Sequence, residues 1–227
     1  MNATAPAPLT TEADDPLRLR PDVMQRLDWS AVFGNSQPVE LELGSGDGSF
    51  LARHAQNHPG RNFVGVERLL GRLRKLGRKG RRAGLTNLRT LRLEAAYVLE
   101  WMIAPASLSA IHVYFPDPWP KRRHWKRRLV NDDFARHAEA ALEPGGRLYL
   151  RTDNAPYFEQ MQDVFRRHPG FTAVETPPDL LALITDFERE FHARGIPTLH
   201  LTCVRQRVTS GSNPAAESQP HPPCLPA

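Results

Sequence analysis

The run Val39-Glu40-Leu41-Glu42-Leu43 leads straight into Gly44-Ser45-Gly46-Asp47-Gly48, and a helix-like stretch, Ser49 to Asn57, follows at once. A strand that turns through closely spaced glycines into a helix is the opening unit of a parallel α/β sheet with a ligand at its carboxyl edge. The rest of the chain repeats the alternation. Short aliphatic or β-branched runs recur at Asn62 to Val66, Leu88 to Leu93, Ala110 to Phe115 and Arg147 to Thr152, with helical stretches between them such as Asp132 to Leu142. Five such alternations predict an α/β fold on a doubly wound, mostly parallel sheet. Two further strand candidates, Phe171 to Glu175 and Thr198 to Val204, follow the fifth. Pro144-Gly145-Gly146 reads as the stop of the preceding helix.

A chain of 227 residues, 40% hydrophobic, supports one sizeable core rather than two. Residues 1–20 carry no periodicity and read as a disordered arm, and residues 209–227, dominated by Pro, Ser, Ala and Asn, read as a disordered tail. That leaves 21–208 as the domain. No apolar run approaches membrane-spanning length, and no basic segment followed by an apolar one opens the chain. The two cysteines, Cys203 in a predicted strand and Cys224 in the tail, imply no disulfide framework, so a reducing cytoplasm is the expected setting.

Three acids stand at the ends of three strands: Glu42 before the glycines, Glu67 at the end of Val64-Gly65-Val66-Glu67, and Asp117 after the fourth strand. Gly44, Gly46 and Gly48 permit positive φ and let a ligand approach the backbone. An acid about 20 residues beyond such a loop suits ribose hydroxyls. Glu42, two residues before Gly44, would repel a pyrophosphate and favour a cationic, amino-bearing cofactor. The G-x-G-x-G spacing and that acid point to S-adenosylmethionine rather than a nicotinamide dinucleotide, and no G-K-[ST] follows to make a triphosphate loop.

Asp117 lies in Val113-Tyr-Phe-Pro-Asp-Pro-Trp-Pro120, and Lys121 to Arg128, KRRHWKRR, follows at once. Cations neutralise phosphates and aromatic faces stack on bases, so the pairing of this run with Trp119 and Trp125 points to nucleic acid. The alternative for each Trp is ordinary packing. An earlier basic run, Arg68 to Arg82, reads equally well as a solvated face, and Gly71, Gly77 and Gly80 weaken it as a helix. His54 and His58, four apart, read as a solvated helix face, and no cysteine pair has zinc spacing, so no metal is expected.

With these motifs in view, the chain resembles the bacterial tRNA (guanine-N7)-methyltransferase family. ELGSGDGSFL, FVGVE, YFPDPWPKRRHWKRRL, RTDNAPYF and TDFEREF carry the resemblance from about Asp28 to Arg205, the FPDPWP string being the specific part. It implies a class I Rossmann-like S-adenosylmethionine-dependent methyltransferase with a seven-stranded sheet, acting on a guanosine of the tRNA variable loop. It implies that Glu42, Glu67, Glu94 and Asp117, with the glycines, hold the cofactor, and that Asp117 is catalytic. It also implies that Lys121, Asp153, Thr185 and Glu188 bind substrate. Glu94 stands where the family has Asp. On the residues alone, Thr152-Asp153-Asn154 fits a turn and Thr185-x-x-Glu188 a helix capping box. The expected partner is tRNA, with no membrane, and the protein a monomer or homodimer. The rival readings are a methyltransferase acting on another acceptor and a non-catalytic RNA-binding subunit.

Overall fold

The computed structural model describes residues 15–207. The expected tail and residues 1–14 of the expected arm lie outside the described residues. In chain order the elements are β1 (Arg18–Leu19), α1 (Trp29–Phe33), β2 (Val39–Leu43), α2 (Ser49–Asn57), β3 (Asn62–Val66), α3 (Leu70–Arg82), β4 (Leu88–Leu91) and α4 (Ala95–Tyr97), which runs into a π turn at Val98–Met102. There follow β5 (Leu108–Tyr114), a 3-10 helix (Arg122–Arg127), α5 (Asp132–Ala141), β6 (Leu142–Thr152), α6 (Ala155–Arg167), β7 (Phe171–Val174), α7 (Pro178–Ala182), α8 (Asp186–Ala193) and β8 (Leu199–Arg205).

The strands form one sheet in the order β1-β4-β3-β2-β5-β6-β8-β7. Every pair from β1 to β6 is parallel, and β8 runs antiparallel to both its neighbours. All seven expected strands are present, and β1 is an eighth. It is only two residues long, but Thr90 N–H donates to Leu17 O at 2.7 Å and Leu17 is buried, so the chain is tied into the sheet edge from about residue 15. The domain therefore starts before residue 21, inside the stretch read as an arm.

β2 and β3 are buried along their whole length, as a parallel sheet covered on both faces requires. Val39, Leu41 and Leu43 join one core layer with residues of α5 and α6, among them Phe134, Ala138, Met161 and Phe165. The opposite face packs Phe50, Leu51, Phe63, Leu76, Tyr114 and Leu180. Glu40 and Glu42 alternate with the three apolar residues of β2 and are themselves buried, which places two carboxylates on that second face.

The glycines of the first basic run do not break a helix. Leu73, Leu76, Gly77 and Gly80 form the buried face of α3, while Arg72, Arg78, Arg81 and Arg82 are exposed. A Cβ on Gly80 would come within 2.7 Å of Leu17 and 2.8 Å of Leu88, so the glycine sets how closely α3 lies on the sheet. Pro144-Gly145-Gly146 also differs from expectation. The helix ends earlier, at Ala141, and β6 already pairs at Leu142 with Leu108. The Pro-Gly-Gly bulges out before pairing resumes at Arg147 with Ala110. Asn131 caps α5 by accepting from Phe134 N–H at 2.9 Å, and Asn154 caps α6 by accepting from Tyr157 N–H at 3.0 Å.

Candidate active site

β2 is hydrogen-bonded to β3 on one side and β5 on the other, so the connections leaving it and those beyond β5 run to opposite edges. The crevice at the carboxyl ends of these strands is where an open α/β sheet binds its ligand. Here it is a cleft of about 390 Å³, lined among others by Gly44, Glu67, Glu94, Tyr114, Asp117 and Trp119. That volume falls within the range of small-molecule sites. A larger hollow of about 530 Å³ lies among Arg53, Lys79, Arg82, Asp186 and Arg189 of α2, α3 and α8, but no strand-end carboxylate reaches it.

The glycine loop takes left-handed backbone at Gly44, Gly46 and Gly48, with φ of 81°, 55° and 74°. Gly48 is doubly constrained, because a Cβ there would also lie 2.3 Å from Leu76 of α3. Glu67 braces the loop: its Oε2 accepts from Gly46 N–H at 3.1 Å and its Oε1 from Leu69 N–H at 2.7 Å. Glu94 stands exposed at the start of α4, accepting from Tyr97 N–H at 2.9 Å. Asp117 is exposed on a turn whose flanks are strained. Phe115 and Trp119 hold φ of 52° and 44°, an arrangement that costs about 1–3 kcal/mol per residue. Pro116 and Pro118 fix φ on either side of Asp117.

Two buried arginines supply the over-determination that this strain needs. Arg128, the last of the KRRHWKRR run, is 1% exposed and donates from Nε to Pro118 O at 2.8 Å and from Nη1 to Gln160 Oε1 at 2.8 Å. Its guanidinium lies over the Trp125 and Tyr157 rings at 4.3 and 4.7 Å. Arg128 and Trp125 therefore anchor the turn to α6 and are unlike the exposed Lys121, Arg122, Arg123, Lys126 and Arg127. Trp119 is half-buried, faces the cleft and carries Arg127 over its ring at 5.0 Å. The second anchor is Arg151. The Phe115 N–H donates to its carbonyl at 2.9 Å, and its guanidinium lies 4.2 Å over the Tyr114 ring.

The cleft thus brings together Gly44, Glu67, Glu94 and Asp117. Glu42 is not in its wall. It is 3% exposed, its Oε2 has no hydrogen-bond partner, and the neighbouring Ser45 Oγ is also buried without one. Of the residues expected to bind substrate, none lines the cleft. Lys121 is exposed at the start of the 3-10 helix, and Asp153 is half-buried between β6 and α6. Thr185 and Glu188 form the capping box of α8: Glu188 N–H donates to Thr185 Oγ1 at 3.0 Å and Thr185 N–H to Glu188 Oε2 at 2.7 Å. Glu188 is 2% exposed, and both its oxygens accept from Arg151 Nη1, at 3.2 and 2.9 Å. Its carboxylate is spoken for within the protein. Sequence reasoning passed over Arg128 because it ends a basic run, and Arg151 because it sits near the end of a strand just before a polar turn, so burial of neither leaves a mark in the sequence.

Burial pushes the Glu42 carboxyl up to about 8, with Arg151 opposing and Asp47 and Glu67 adding to the rise. The sign for stability follows. Below about pH 4.5 Glu42 is protonated in both folded and unfolded chains and costs nothing. Between that pH and about 8 the unfolded chain ionises while the folded one keeps its proton, so stability falls, and above 8 the cost is complete. Glu42→Gln removes it. The variant's thermal midpoint should match the parent's near pH 5 and exceed it at pH 8.5, by a margin equivalent to about 5 kcal/mol. Equal midpoints at pH 8.5 would show that Glu42 carries no such burden.

The residues present fit S-adenosylmethionine. A partnerless buried carboxyl and hydroxyl beside the glycine loop suit an amino-bearing ligand, and Glu67 and Glu94 in the cleft wall can accept from hydroxyl or amino groups. Fold and site together define a class I, Rossmann-like S-adenosylmethionine-dependent methyltransferase. A family model described as a putative methyltransferase matches residues 36–201. A tRNA (guanine-N(7)-)-methyltransferase of Aliivibrio fischeri is 38% identical over 178 residues, 76% of this chain and 75% of that one. One of Syntrophotalea carbinolica is 34% identical over 198 residues, 86% of this chain and 85% of that one. The solved structure of the 16S rRNA methyltransferase KamB superposes with a TM-score of 0.60 at 19% identity, over 79% of this chain and 93% of that one, which speaks to the fold alone. The chain belongs to the bacterial tRNA (guanine-N7)-methyltransferase family. Among the described residues no helix is long and apolar enough to cross a membrane.

Proposed function

We propose that the protein transfers a methyl group from S-adenosylmethionine to N7 of a guanosine in the variable loop of tRNA. The observation that carries this reading is the placement of Asp117. It stands on a strained, doubly anchored turn, in the same cleft as Gly44, Glu67 and Glu94, four residues before a run of exposed cations.

When bound, S-adenosylmethionine supplies an electrophilic methyl carbon. Guanine N7 has a free lone pair and no proton, so displacement needs neither a base nor a metal, and the protein's task is alignment. Gly44 and the loop admit the cofactor to the backbone, and Glu67 and Glu94 accept from its polar edges. Asp117 faces the purine. It stabilises the positive charge that develops on the ring, or holds the base by accepting from its N1–H or amino group. Trp119 beside it offers an aromatic face to a base, and Lys121, Arg122, Arg123 and Lys126 meet backbone phosphates. Asp153, at the β6–α6 junction, is a further candidate acceptor. Thr185 and Glu188 act from within, by fixing the start of α8 in place.

The test is transfer of labelled methyl to unmodified tRNA, with protein and small amines as competing acceptors, followed by mapping of the product. The expected product is 7-methylguanosine in the variable loop. Methylation of protein or amine instead, or of another tRNA position, would refute the assignment. No transfer by folded, cofactor-binding protein would favour the RNA-binding subunit.

A further inference from the structure

A buried polar cluster lies on the α2 face of the sheet, outside the cleft. Glu40 comes from β2, His112 from the neighbouring β5, and His54 from α2, which packs over both. They are 4%, 0% and 5% exposed. His54, read from sequence as half of a solvated pair, is therefore interior. Its Nε2 lies 3.0 Å from Glu40 Oε2, and His112 Nε2 lies 2.8 Å from the same oxygen. The three atoms all stand within 4.8 Å of one another. Arg61 Nη1 donates to the other carboxylate oxygen at 2.8 Å, and His112 Nδ1 lies 2.8 Å from the Tyr114 hydroxyl.

We infer that Glu40, His54 and His112 bind a zinc ion that ties α2 to the centre of the sheet. Two imidazole nitrogens and one carboxylate oxygen are a donor set that zinc takes.

Without metal, each Nε2–H donates to the shared oxygen. With zinc, the His112 proton moves from Nε2 to Nδ1, where the Tyr114 oxygen accepts it, and no net proton is released from that ring. An N–H of a metal-bound imidazole held by a second polar group fixes ring and tautomer, and Tyr114 is placed to do so. Ligand atoms around a tetrahedral zinc stand about 3.3 Å apart, as follows from the usual metal–ligand distances. The two nitrogen–oxygen spacings, 3.0 and 2.8 Å, need open by only a few tenths of an ångström. A cavity of about 410 Å³ with Glu40, His54 and His58 in its wall provides an entry path and room for a water as fourth ligand.

The experiment is metal titration of untagged, chelator-stripped full-length protein, with Zn²⁺ and with Co²⁺ as the visible probe. One equivalent should bind, with the visible absorption of tetrahedral Co²⁺ and a rise of several degrees in thermal midpoint with Zn²⁺. His54→Gln and His112→Gln should abolish both, while His124→Gln, in the 3-10 helix, should leave them unchanged. No stoichiometric binding by the parent overturns the inference whether or not the variants fold. So does binding that survives in folded His54→Gln and His112→Gln. The readouts are independent of methyl transfer, so the site stands or falls apart from the proposed function.

Discussion

Asp117→Ala is expected to lower the rate of methyl transfer by about 10²–10³-fold, the usual effect of removing one preorganised group aimed at developing charge. Affinity for tRNA should change little. The cations that meet phosphates are separate side chains on the 3-10 helix, and the turn itself is held by backbone contacts to Arg128 and Arg151 that the substitution leaves in place. The loss should fall mainly on kcat, measured with saturating cofactor and tRNA. Asp117→Asn separates the two contributions. An amide can still accept a hydrogen bond from the base but carries no charge, so an Asn variant near parental activity would assign Asp117 to holding the guanine edge. Normal turnover by the Ala variant would remove Asp117 from the mechanism altogether.

Arg151→Ala is expected to cost about 3–5 kcal/mol of stability, because it leaves one partner of a buried ion pair unpaired. Arg151 is 1% exposed and Glu188 is 2% exposed. The guanidinium also satisfies the carbonyls of Leu180 and Leu183 and lies over the Tyr114 and Phe50 rings. Its removal leaves an uncompensated acid, two unpaired carbonyls and a void. For a chain of this size the thermal midpoint should drop by roughly 10 °C or more. Combining Arg151→Met with Glu188→Leu should recover much of the loss, since replacing both members of a buried pair by apolar side chains is often near neutral. A loss below about 1 kcal/mol in Arg151→Ala would show that the pair is not the keystone of the α7–α8 segment. Glu188→Gln bears on the same point from the other side. If Glu188 serves α8 and not the base, the variant's defect should track its stability and not the choice of nucleotide.

The architecture was legible because its signals are local. Aliphatic runs of strand length, a glycine loop between strand and helix, and turn residues at ordinary spacing each report on neighbours in the chain. Glu67, Glu94 and Asp117 could be found for the same reason: each follows a strand, and a parallel sheet delivers strand ends to one edge, whereas Glu42 lies buried outside the cleft wall. The errors are also local signals, outweighed by contacts from far along the chain. Gly77 and Gly80 lower helix propensity in α3, yet the close seat that Gly80 gives it against Leu17 and Leu88, and Gly77 against Asp15, settles the matter. Arg18 and Leu19 look like arm but pair with Thr90 and Leu91. Thr185 and Glu188 satisfy a helix cap and a family motif at once, and only burial shows where the carboxylate is used.

The sequence by itself determined the order of the strands' residues, the glycine loop between β2 and α2 and the turn that carries Asp117, because periodicity and turn chemistry act over a few residues. Which polar groups meet was decided by the tertiary structure. Arg128 ends a basic run and Arg151 stands near the end of a strand, positions where an arginine ordinarily reaches solvent, and the fold buries both as anchors. Glu40, His54 and His112 are scattered over more than 70 positions, and they converge only because β5 lies beside β2 and α2 packs over the pair. Burial then raises the cost of any unpaired polar group, so these side chains must find one another, and that requirement has no trace in the linear chain.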